Sequence, residues 1–539
     1  MPVQPLNKLN NYYDSLGRLT QSNAPYGGGL ATAYDNMANR STQTLTTPSF
    51  SPPQPMATVA LPKRQKGDFT NNAMMVSLES TSSTLRRLIG WGNCTTGVLS
   101  NNVIAGTNMP AQVALFDKNT TPPPSGIDYV DWAFTNANLY VVYSNGWVYS
   151  AGRCEYGQLG HGDLVSRPYL KRIEFFVQNN ISITKVWAAG SSSLAGGGGC
   201  VFFKASDGRI FACGANAAGN LGNPLTPVAN VTTPAECAGV DTTCYSVLDV
   251  VITDVGGNFS TYMPCSDGRL MVAGYNGQGQ LGVTLSSVTG TFVRALQSNG
   301  TFLTGVASVS ATSGGGGASA LVIDTSGFVW TTGLNSSGQL GLSDTTNRSR
   351  FTKISSLSNI VKAELGGGSS GYGYAQDIAG VFYTWGYNAV NNLFLNNATN
   401  PISSPTVAAF LPDAVAKVFF PREDNLGGNA QFTILTAGGR LAYAGLDNGQ
   451  IGINNAVNPG AYKWLPIPEF MMEGMEVIVD AFVHGTSTTQ RLFVITNRGN
   501  LYACGYNADS VCTGGYSSNI MPTAVSWYRI PLSEKLLSS

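Results

Sequence analysis

Short apolar runs alternate with glycine-containing polar turns along most of this 539-residue chain. The most regular run is five residues long, carries a large apolar residue at its second position and directly follows a turn glycine. The seven turn glycines are Gly146, Gly208, Gly268, Gly327, Gly380, Gly439 and Gly499. Asn145, Asp207 and Asp267 precede three of them, and such pairs are signals for two-residue hairpin turns. Short apolar runs between turn signals predict β-strands.

A second glycine lies six residues after each turn glycine and opens a phrase close to Gly-x-Asn-x-x-Gly-Gln-Leu-Gly, here called the marker phrase. Clear copies begin at Gly152, Gly214, Gly274 and Gly333, and weaker copies begin at Gly92, Gly386, Gly445 and Gly505. Successive copies are 60, 62, 60, 59, 53, 59 and 60 residues apart. This fixed period indicates one supersecondary unit stacked on copies of itself. Further short apolar runs around each phrase predict four strands per unit, as in a β-propeller blade.

The repeats resemble the regulator of chromosome condensation family of β-propellers over residues 71–530. The resemblance rests on the turn glycine, the apolar strand and the marker phrase, which recur with fixed offsets. It implies an all-β fold, a β-propeller of seven or eight four-stranded blades. Family members usually have seven blades, but eight marker phrases favour eight here. The first blade is expected to take an inner strand from residues near Ala57–Leu61 or from the C-terminus, and residues 531–539 are a C-terminal tail.

The match to the family pattern is imperfect in several places. Asn391 and Asp509 stand where the mid-phrase glycine is expected, and Gly449 comes one residue early. Arg86 occupies the position of the first turn glycine. The histidine that the family often places after the inner-strand glycine is absent, and serine, glycine and threonine fill that region. The pattern is therefore specific for the fold and carries less weight for the family's activity.

Residues 1–70 fall outside the sixty-residue register and are rich in Asn, Ser, Thr, Pro and Gly. Two phrases here repeat at an offset of 21 residues: Tyr13-Asp14-Ser-Leu-Gly-Arg-Leu-Thr and Tyr34-Asp35-Asn-Met-Ala-Asn-Arg-Ser. They resemble the YD-repeat family of β-hairpin modules, and the alternative is a pair of Asx-type turns. We expect an extended N-terminal arm that anchors the protein to other subunits, with the two Tyr-Asp pairs making the contacts.

Charge narrows the set of partners. Only 11% of the residues are charged, and 30 basic and 30 acidic residues leave no net charge. A nucleic-acid-binding protein would show a basic excess or stripe, whereas this chain has only the short segment 63–66, so we expect no nucleic-acid partner. No apolar run approaches the length of a membrane span, and the first residues lack the features of a signal peptide. We therefore expect assembly in the cytoplasm without membrane insertion.

The side chains that catalysis or metal binding needs are few and scattered. The two histidines, His161 and His484, are about 320 residues apart, and we interpret His161 as a solvated loop residue. Four glycine clusters precede marker phrases, but none continues into the Gly-Lys-Ser/Thr of a phosphate-binding loop. They lie at residues 196–199, 314–317, 366–368 and 427–428. Backbone crowding near the propeller axis explains them better, and we expect no catalytic residue, metal or cofactor.

The cysteines show no disulfide framework. Cys213 and Cys504 occupy equivalent strand positions, which is typical of buried thiols. Cys237 and Cys244 are the one local pair, and the sequence leaves open whether they form a bridge.

Residues near the predicted rim offer two weaker candidates for ligand contacts. Glu155 and Asp163 flank one marker phrase, and residues 423–424 are acidic, but a solvated pair is a simpler reading than a glycosidase site. Aromatic side chains recur just after marker glycines, at Tyr156, Tyr275, Tyr387 and Tyr506. They are candidates for stacking on glycan rings, although a packing role in the repeat also predicts their recurrence.

These features favour a non-enzymatic structural or attachment component of a virus particle, such as the tail, an appendage or the capsid decoration of a tailed bacteriophage. The low charge and the polar arm support this interpretation. The propeller would then act as a rigid platform for other virion proteins and for a host-surface glycan or protein. The alternative, implied by the family resemblance, is a propeller that binds a small GTPase or chromatin and promotes nucleotide exchange. A lyase or glycosidase has only the fold in its favour.

Overall fold

The computed structural model divides the chain into two compact units, Met1–Pro55 and Met56–Ser539. The described residues are 10–13, 19–23, 29–34, 40–46, 57–60, 73–80, 86–93, 107–112, 116–135, 137–191, 198–226, 228–312, 314, 317–397, 399–409, 411, 413–419, 431–445, 463–465, 477–484, 491–505 and 528–530. The unit boundary therefore comes earlier than the boundary at residue 70 that composition suggested.

The first unit contains an antiparallel sheet and departs from the expected extended arm. Its strands pair in chain order and are β1 (Asn10–Tyr13), β2 (Leu19–Asn23), β3 (Gly29–Tyr34) and β4 (Arg40–Thr46). Tyr13 pairs with Leu19 and Tyr34 pairs with Arg40, in both cases just after a register shift. The two Tyr-Asp phrases thus mark two hairpins of the same register. A polar composition does not exclude strands, because ladder hydrogen bonds satisfy the backbone.

The second unit is a β-propeller with eight four-stranded antiparallel sheets among the described residues. Blades 1 and 2 are β5 (Ala57–Ala60), β6 (Ala73–Ser80), β7 (Arg86–Asn93), β8 (Thr107–Gln112), and β9 (Tyr129–Phe134), β10 (Asn138–Tyr143), β11 (Val148–Gly152), β12 (Arg167–Arg172). Blades 3 and 4 are β13 (Ile183–Gly190), β14 (Gly199–Ala205), β15 (Ile210–Gly214), β16 (Val231–Glu236), and β17 (Val251–Val255), β18 (Asn258–Pro264), β19 (Leu270–Tyr275), β20 (Ser287–Arg294). The all-β prediction is confirmed.

The remaining four blades follow the same order. Blades 5 and 6 are β21 (Val306–Ala311), β22 (Ser319–Asp324), β23 (Val329–Gly333), β24 (Arg348–Lys353), and β25 (Ile360–Gly366), β26 (Tyr372–Asp377), β27 (Phe382–Gly386), β28 (Ile402–Val407). Blades 7 and 8 are β29 (Val415–Phe419), β30 (Gln431–Thr436), β31 (Leu441–Gly445), β32 (Lys463–Trp464), and β33 (Ile478–His484), β34 (Arg491–Thr496), β35 (Leu501–Gly505), β36 (Tyr528–Arg529). Every blade is built from consecutive strands.

The first blade takes its first strand from the segment directly before it. Ala57–Ala60 pairs antiparallel with residues 77–80 of β6. Tyr528–Arg529 pairs with β35 in blade 8. Of the two sources that the sequence left open for the strand of blade 1, the structure uses the N-terminal one. Arg86, at the position of the missing turn glycine, is the first residue of β7.

The first strands of neighbouring blades lie against each other, for example β9 against β13 and β21 against β25. The first strand of each blade is therefore nearest to the propeller axis, and the fourth strand is outermost. Buried polar groups join the blades here. Asp131 Oδ2 accepts a hydrogen bond from the Val186 N–H at 3.0 Å, and Ser191 Oγ donates to Asp254 Oδ2 at 2.6 Å.

The first glycine of the marker phrase lies at or next to the end of the third strand, and in blades 2 to 6 a Cβ there would clash with backbone in or directly before the second strand. Its φ lies between 103° and 115° in the seven copies from blade 2 to blade 8. A Cβ at Gly152 would overlap the carbonyl oxygen of Ala137, and a Cβ at Gly333 would lie 2.5 Å from the carbonyl oxygen of Ala318. The ladder to the fourth strand shifts register beside this glycine. The marker glycine is therefore a β-bulge that turns the chain out of the sheet.

The turn glycines lie in three-residue hairpin loops, which corrects the two-residue turns predicted from the Asn-Gly and Asp-Gly pairs. In blade 2, the Gly146 N–H donates to the Tyr143 carbonyl and the Tyr143 N–H donates to the Trp147 carbonyl, at 2.8 and 2.9 Å. The same pair of bonds recurs in blades 3 to 8. Gly146 has a φ of 81°, while the Asn145 side chain accepts a bond from the Trp147 N–H. A type I turn followed by a left-handed glycine explains this arrangement.

The asparagine of the marker phrase is buried and fixes the loop between the third and fourth strands. In blade 5, Asn335 Oδ1 accepts from the Leu340 N–H and Asn335 Nδ2 donates to the Asp344 carbonyl, both at 2.9 Å. The same two kinds of bond are made by Asn216, Asn276 and Asn388. Blade 2 has Cys154 at this position, whose buried thiol lies 3.5 Å from the Asp163 carbonyl. A thiol is a weak donor, so it replaces only part of the amide's function.

The marker-phrase loops of blades 2, 4 and 5 also pack on the next blade along the chain. A Cβ at Gly157, Gly279 or Gly338 would lie between 2.5 and 2.8 Å from the backbone of the next blade's fourth strand. Trp385 Nε1 donates to the Gln339 carbonyl of the preceding blade at 2.8 Å. The repeated phrase is therefore the joint between blades, and buried apolar clusters run continuously across blades 2 to 5 and 5 to 7.

One short helix, α1 (Glu174–Gln178), lies in the connection between blades 2 and 3. It buries Phe176, whose ring is 5.1 Å from the ring of Phe203 and 5.8 Å from the ring of Phe211. Within the described ranges, no helix has both the length and the apolar character that crossing a membrane requires.

Deleting residues 1–55 is expected to leave the propeller as stable as in the full chain, whereas deleting residues 1–70 is expected to destabilise it. The longer deletion removes Ala57–Ala60 and with it one ladder of blade 1. Each lost hydrogen bond costs about 1 kcal/mol, in addition to the exposed edge. Thermal unfolding followed by circular dichroism measures this difference. Equal midpoints for the two deletions would contradict the placement of β5.

Candidate interaction surface

The described tyrosines that follow marker glycines pack against their own repeats. Tyr156, Tyr275 and Tyr387 are all half-buried. Tyr156 packs on the cluster that spans blades 2 to 5, and Tyr387 packs on the cluster that spans blades 5 to 7. The ring of Tyr275 lies over Gly277, where a Cβ would overlap the tyrosine hydroxyl. Tyr506 lies outside the described residues, and a role of these rings in ligand contact stays a prediction.

The Tyr-Asp pairs of the N-terminal unit are only partly described. Tyr13 is the last residue of β1 and Tyr34 is the last residue of β3. Asp14 and Asp35 lie outside the described residues. The two tyrosines occupy equivalent backbone positions in their hairpins, and their role in contacts with other subunits stays a prediction.

His161 is a packed residue, which corrects the expectation of a solvated loop histidine. Its Nε2 lies 3.0 Å from Ser150 Oγ, and that hydroxyl donates to the Leu159 carbonyl at 2.8 Å. Because the single hydroxyl proton is used, Nε2 is the donor toward Ser150. Burial, with Arg167 and Lys171 nearby, lowers the pKa of His161 to about 3. A neutral imidazole therefore stabilises the marker-phrase loop of blade 2.

The carboxylates beside this phrase are engaged in ion pairs. Arg167 Nη2 lies 2.7 Å from Asp163 Oδ2, and this hydrogen-bonded guanidinium lowers the pKa of Asp163 to about 2. Arg153 Nη1 lies 3.9 Å from Glu155 Oε1. Residues 423–424 lie outside the described ranges. Asp163 and Glu155 therefore each have an arginine as ion-pair partner.

Gly199 of the first glycine cluster and the four cysteines singled out from the sequence lie among the described residues. A Cβ at Gly199 would overlap the Ala189 carbonyl oxygen on the adjacent strand, so backbone crowding requires this glycine. Cys213 and Cys504 are buried thiols, while Cys237 is buried and Cys244 is exposed without a bridge between them. In the part of the chain that the structure describes, no three His, Cys, Asp or Glu residues are grouped as a metal site would need.

Three successive blades expose aliphatic side chains in the loops that follow their marker phrases. These side chains, here called the leucine row, are Leu164 (58% exposed), Val165 (59%), Leu225 (91%), Val228 (55%) and Leu285 (59%). All five lie between the third and fourth strands of blades 2, 3 and 4, so they emerge at the same end of the propeller. A group of exposed apolar residues at neighbouring positions is typical of a protein-binding surface.

The two described loops that follow the leucine row along the chain are polar. The corresponding loop of blade 5 carries Asp344-Thr345-Thr346, and that of blade 6 carries Asn396-Asn397. Both segments are polar. A partner that binds the row would therefore cover blades 2 to 4 and meet a polar surface at blade 5.

Side-chain hydrogen bonds hold the loops of the leucine row in place. Asn276 Nδ2 donates to the carbonyls of Val283, at 2.9 Å, and Leu285. Asp163 Oδ1 accepts from the Val165 N–H at 3.0 Å. A surface that is already ordered loses little conformational entropy when a partner binds.

The sequence contains only a weak signal for the leucine row. Its members lie outside the strands, so the sixty-residue periodicity does not report them. Leu164, Leu225 and Leu285 each follow the last glycine of a marker phrase by three or four residues, where the equivalent position of blade 5 is acidic. Comparing loop residues blade by blade would have found this difference.

Comparison with known proteins supports the blade assignment. Residues 145–195 match the family model of the regulator of chromosome condensation (RCC1) repeat. These residues cover the second half of blade 2 and the first strand of blade 3, including the marker phrase at Gly152. The match therefore identifies one RCC1-like repeat within the β-propeller.

Solved structures that are similar to this chain include those of human and yeast proteins. Human WBSCR16 is 15% identical with a TM-score of 0.49, over 83% of this chain and 95% of that one. Prp20p from Saccharomyces cerevisiae is 14% identical with a TM-score of 0.46, over 73% and 88%. Yeast RCC1 (Prp20) in its complex with Kap60 is 11% identical with a TM-score of 0.46, over 93% and 98%.

The free energy of unfolding is expected to fall as the pH falls from about 6.5 toward 3, because of His161. The unfolded imidazole takes up a proton near pH 6.5, whereas burial keeps the folded one neutral down to about pH 3. The unfolded state therefore binds more protons in this window, and the loss has a slope of at most about 1.4 kcal/mol per pH unit. The pKa of Asp163 is lowered to about 2, so the contribution of this carboxylate to the free energy of unfolding is lost only below its unfolded pKa of about 4.

Denaturant unfolding between about pH 7 and pH 4 tests this pH dependence. His161→Asn should show a smaller slope than the wild type. Identical slopes for the wild type and His161→Asn would contradict the packed, neutral histidine.

Proposed function

We propose that this protein is a non-enzymatic, protein-binding β-propeller whose partner covers the leucine row. The observation that carries the proposal is the exposure of Leu164, Leu225 and Leu285 on ordered loops of three adjacent blades. Full burial of one leucine side chain contributes about 1.5–3 kcal/mol. Three such side chains therefore supply the apolar centre that a specific interface needs.

The partner class that the repeat match supports is a small GTPase, with the propeller acting as a nucleotide-exchange factor. The family model matched by residues 145–195 includes the loop that carries Leu164 and Val165. Chromatin is the other partner that the family resemblance implies. The absence of net charge weighs against it, because nucleic-acid affinity depends on neutralising phosphates with a basic excess.

Release of a fluorescent GDP analogue from a panel of small GTPases tests this function. The wild-type protein is expected to accelerate release from at least one member of the panel. The combined variant Leu164→Asp, Leu225→Asp and Leu285→Asp should reduce this rate by about tenfold or more, since 1.4 kcal/mol of lost interface energy is already a factor of ten.

A second combined variant provides the matched control. Val361, Ile378 and Val407 of blade 6 are 54%, 78% and 49% exposed and lie outside the leucine row. Their substitution by aspartate should leave the release rate within about twofold of the wild type. Equal losses in the two variants would argue against the leucine row. No acceleration by the wild type on any GTPase would refute the exchange function.

A second candidate function is that of a structural or attachment component of a virus particle, such as a phage tail, appendage or capsid decoration. The observation in its favour is the separate unit Met1–Pro55, with its two hairpins of equal register. An independent small sheet is suited to docking on other virion proteins, and the propeller would then present its loops to a host-surface glycan or protein.

Incorporation into particles tests the virion function. The deletion of residues 1–55 should leave a folded propeller that no longer enters particles, as measured by its content in purified particles relative to the full chain. The leucine-row variant serves as a control, because it leaves the N-terminal unit unchanged. Normal incorporation of the deletion variant would contradict an anchoring role.

A further inference from the structure

A cleft of about 530 Å³ lies along the outer side of blade 4. Its walls are mainly apolar and are formed by Tyr245, Met271, Val283, Leu285, Phe292 and Phe302. Leu285 is also the last member of the leucine row. The volume falls in the range of small-molecule sites, which are typically apolar clefts with a few polar groups that orient the ligand.

Two arginines contribute to the cleft, and they differ in their partners. Arg269 forms an ion pair with Asp267, with 2.6 Å between Nε and Oδ2, and lies 4.9 Å from the Tyr245 ring. The guanidinium of Arg294 is stacked 4.1 Å over the centre of the Phe302 ring. Among the described residues, Arg294 has no carboxylate partner, and its buried Nε has no hydrogen-bond acceptor. Arg294 is therefore the uncompensated positive charge of the cleft.

The remaining charge at the cleft is already engaged. Asp241 Oδ1 accepts hydrogen bonds from the N–H and the hydroxyl of Thr243. Asp241 thus satisfies its own turn, and it does not neutralise Arg294 in the structure. Because the Nε of Arg294 is buried, an anion in the cleft meets the terminal Nη groups of this guanidinium, and it gains the energy of a charge-assisted hydrogen bond there.

We propose that the blade 4 cleft binds a small organic acid, a carboxylate carried on an apolar body, with Arg294 as its anchor. The planar guanidinium fork matches the two oxygens of a carboxylate, and stacking on Phe302 holds this fork in a fixed orientation. The apolar body of the ligand lies against Met271 and Phe292. A phosphate fits less well, because its second charge would find only one uncompensated arginine.

The cleft shares Leu285 with the leucine row, but the proposed ligand differs from the protein partner of that row. Its ligand is recognised by Arg294 and the apolar walls, without a protein partner. Binding of a small acid therefore can be measured with the full-length protein alone.

Calorimetric titration with phenylbutyrate and with its uncharged analogue phenylbutyramide tests the proposal. The wild type is expected to bind the carboxylate about tenfold or more tightly than the amide, as a charge-assisted hydrogen bond implies. Arg294→Gln should remove this preference. Arg350→Gln is the matched control, because Arg350 lies on the fourth strand of blade 5, has the same unpartnered Nε and does not line the cleft.

A second variant keeps the test valid if Arg294→Gln fails to fold. Leu285→Glu places a negative charge at a 59% exposed position of the cleft wall and should weaken the carboxylate more than the amide. Equal affinity of the wild type for the two probes, no binding of either, or an equal loss in Arg350→Gln would each overturn the proposal.

Discussion

The propeller depends on one steric constraint, the passage of the backbone at the end of each third strand. The marker glycine, such as Gly152 or Gly333, has no Cβ and a positive φ, so the chain can pass close to the second strand and leave the sheet. The loop that follows then reaches the next blade, where mid-phrase glycines such as Gly338 touch its fourth strand. Two close approaches in one short phrase therefore set both the shape of a blade and its contact with a neighbour.

The joint between blades tolerates change when the local geometry is kept. In blade 6, Asn391 replaces the mid-phrase glycine and has a φ of 52°, a conformation that asparagine tolerates better than other residues with a side chain. Phe394 replaces the last glycine and lies 5.8 Å from the ring of Phe432 in blade 7. In blade 5 the last glycine is kept, and Gly341 packs against Trp385 of blade 6. Large aromatic side chains therefore fill the joint in both blades, although they come from different positions.

The sequence predicted what the repeat itself determines. The four-stranded blades follow from the phrase, because the same steric need recurs along the chain, and the eight phrases favoured eight blades over seven. The hairpin type was wrong, since Asn145 and Asp207 signal a turn without stating its length. The row at Leu225 and the charge of Arg294 escaped prediction because they depend on what surrounds a side chain in space. The residues that surround such a side chain belong to loops and strands that lie far apart in the sequence, so a local pattern does not report them.

Each blade is made of four strands that follow one another in the chain, including blade 1 with Ala57–Ala60 and blade 8 with Tyr528–Arg529. No described sheet borrows a strand from a distant part of the sequence. The gene can therefore gain or lose a stretch that encodes one blade without breaking the pairing in any other. The number of blades can therefore change in whole steps, with every sheet keeping its four strands.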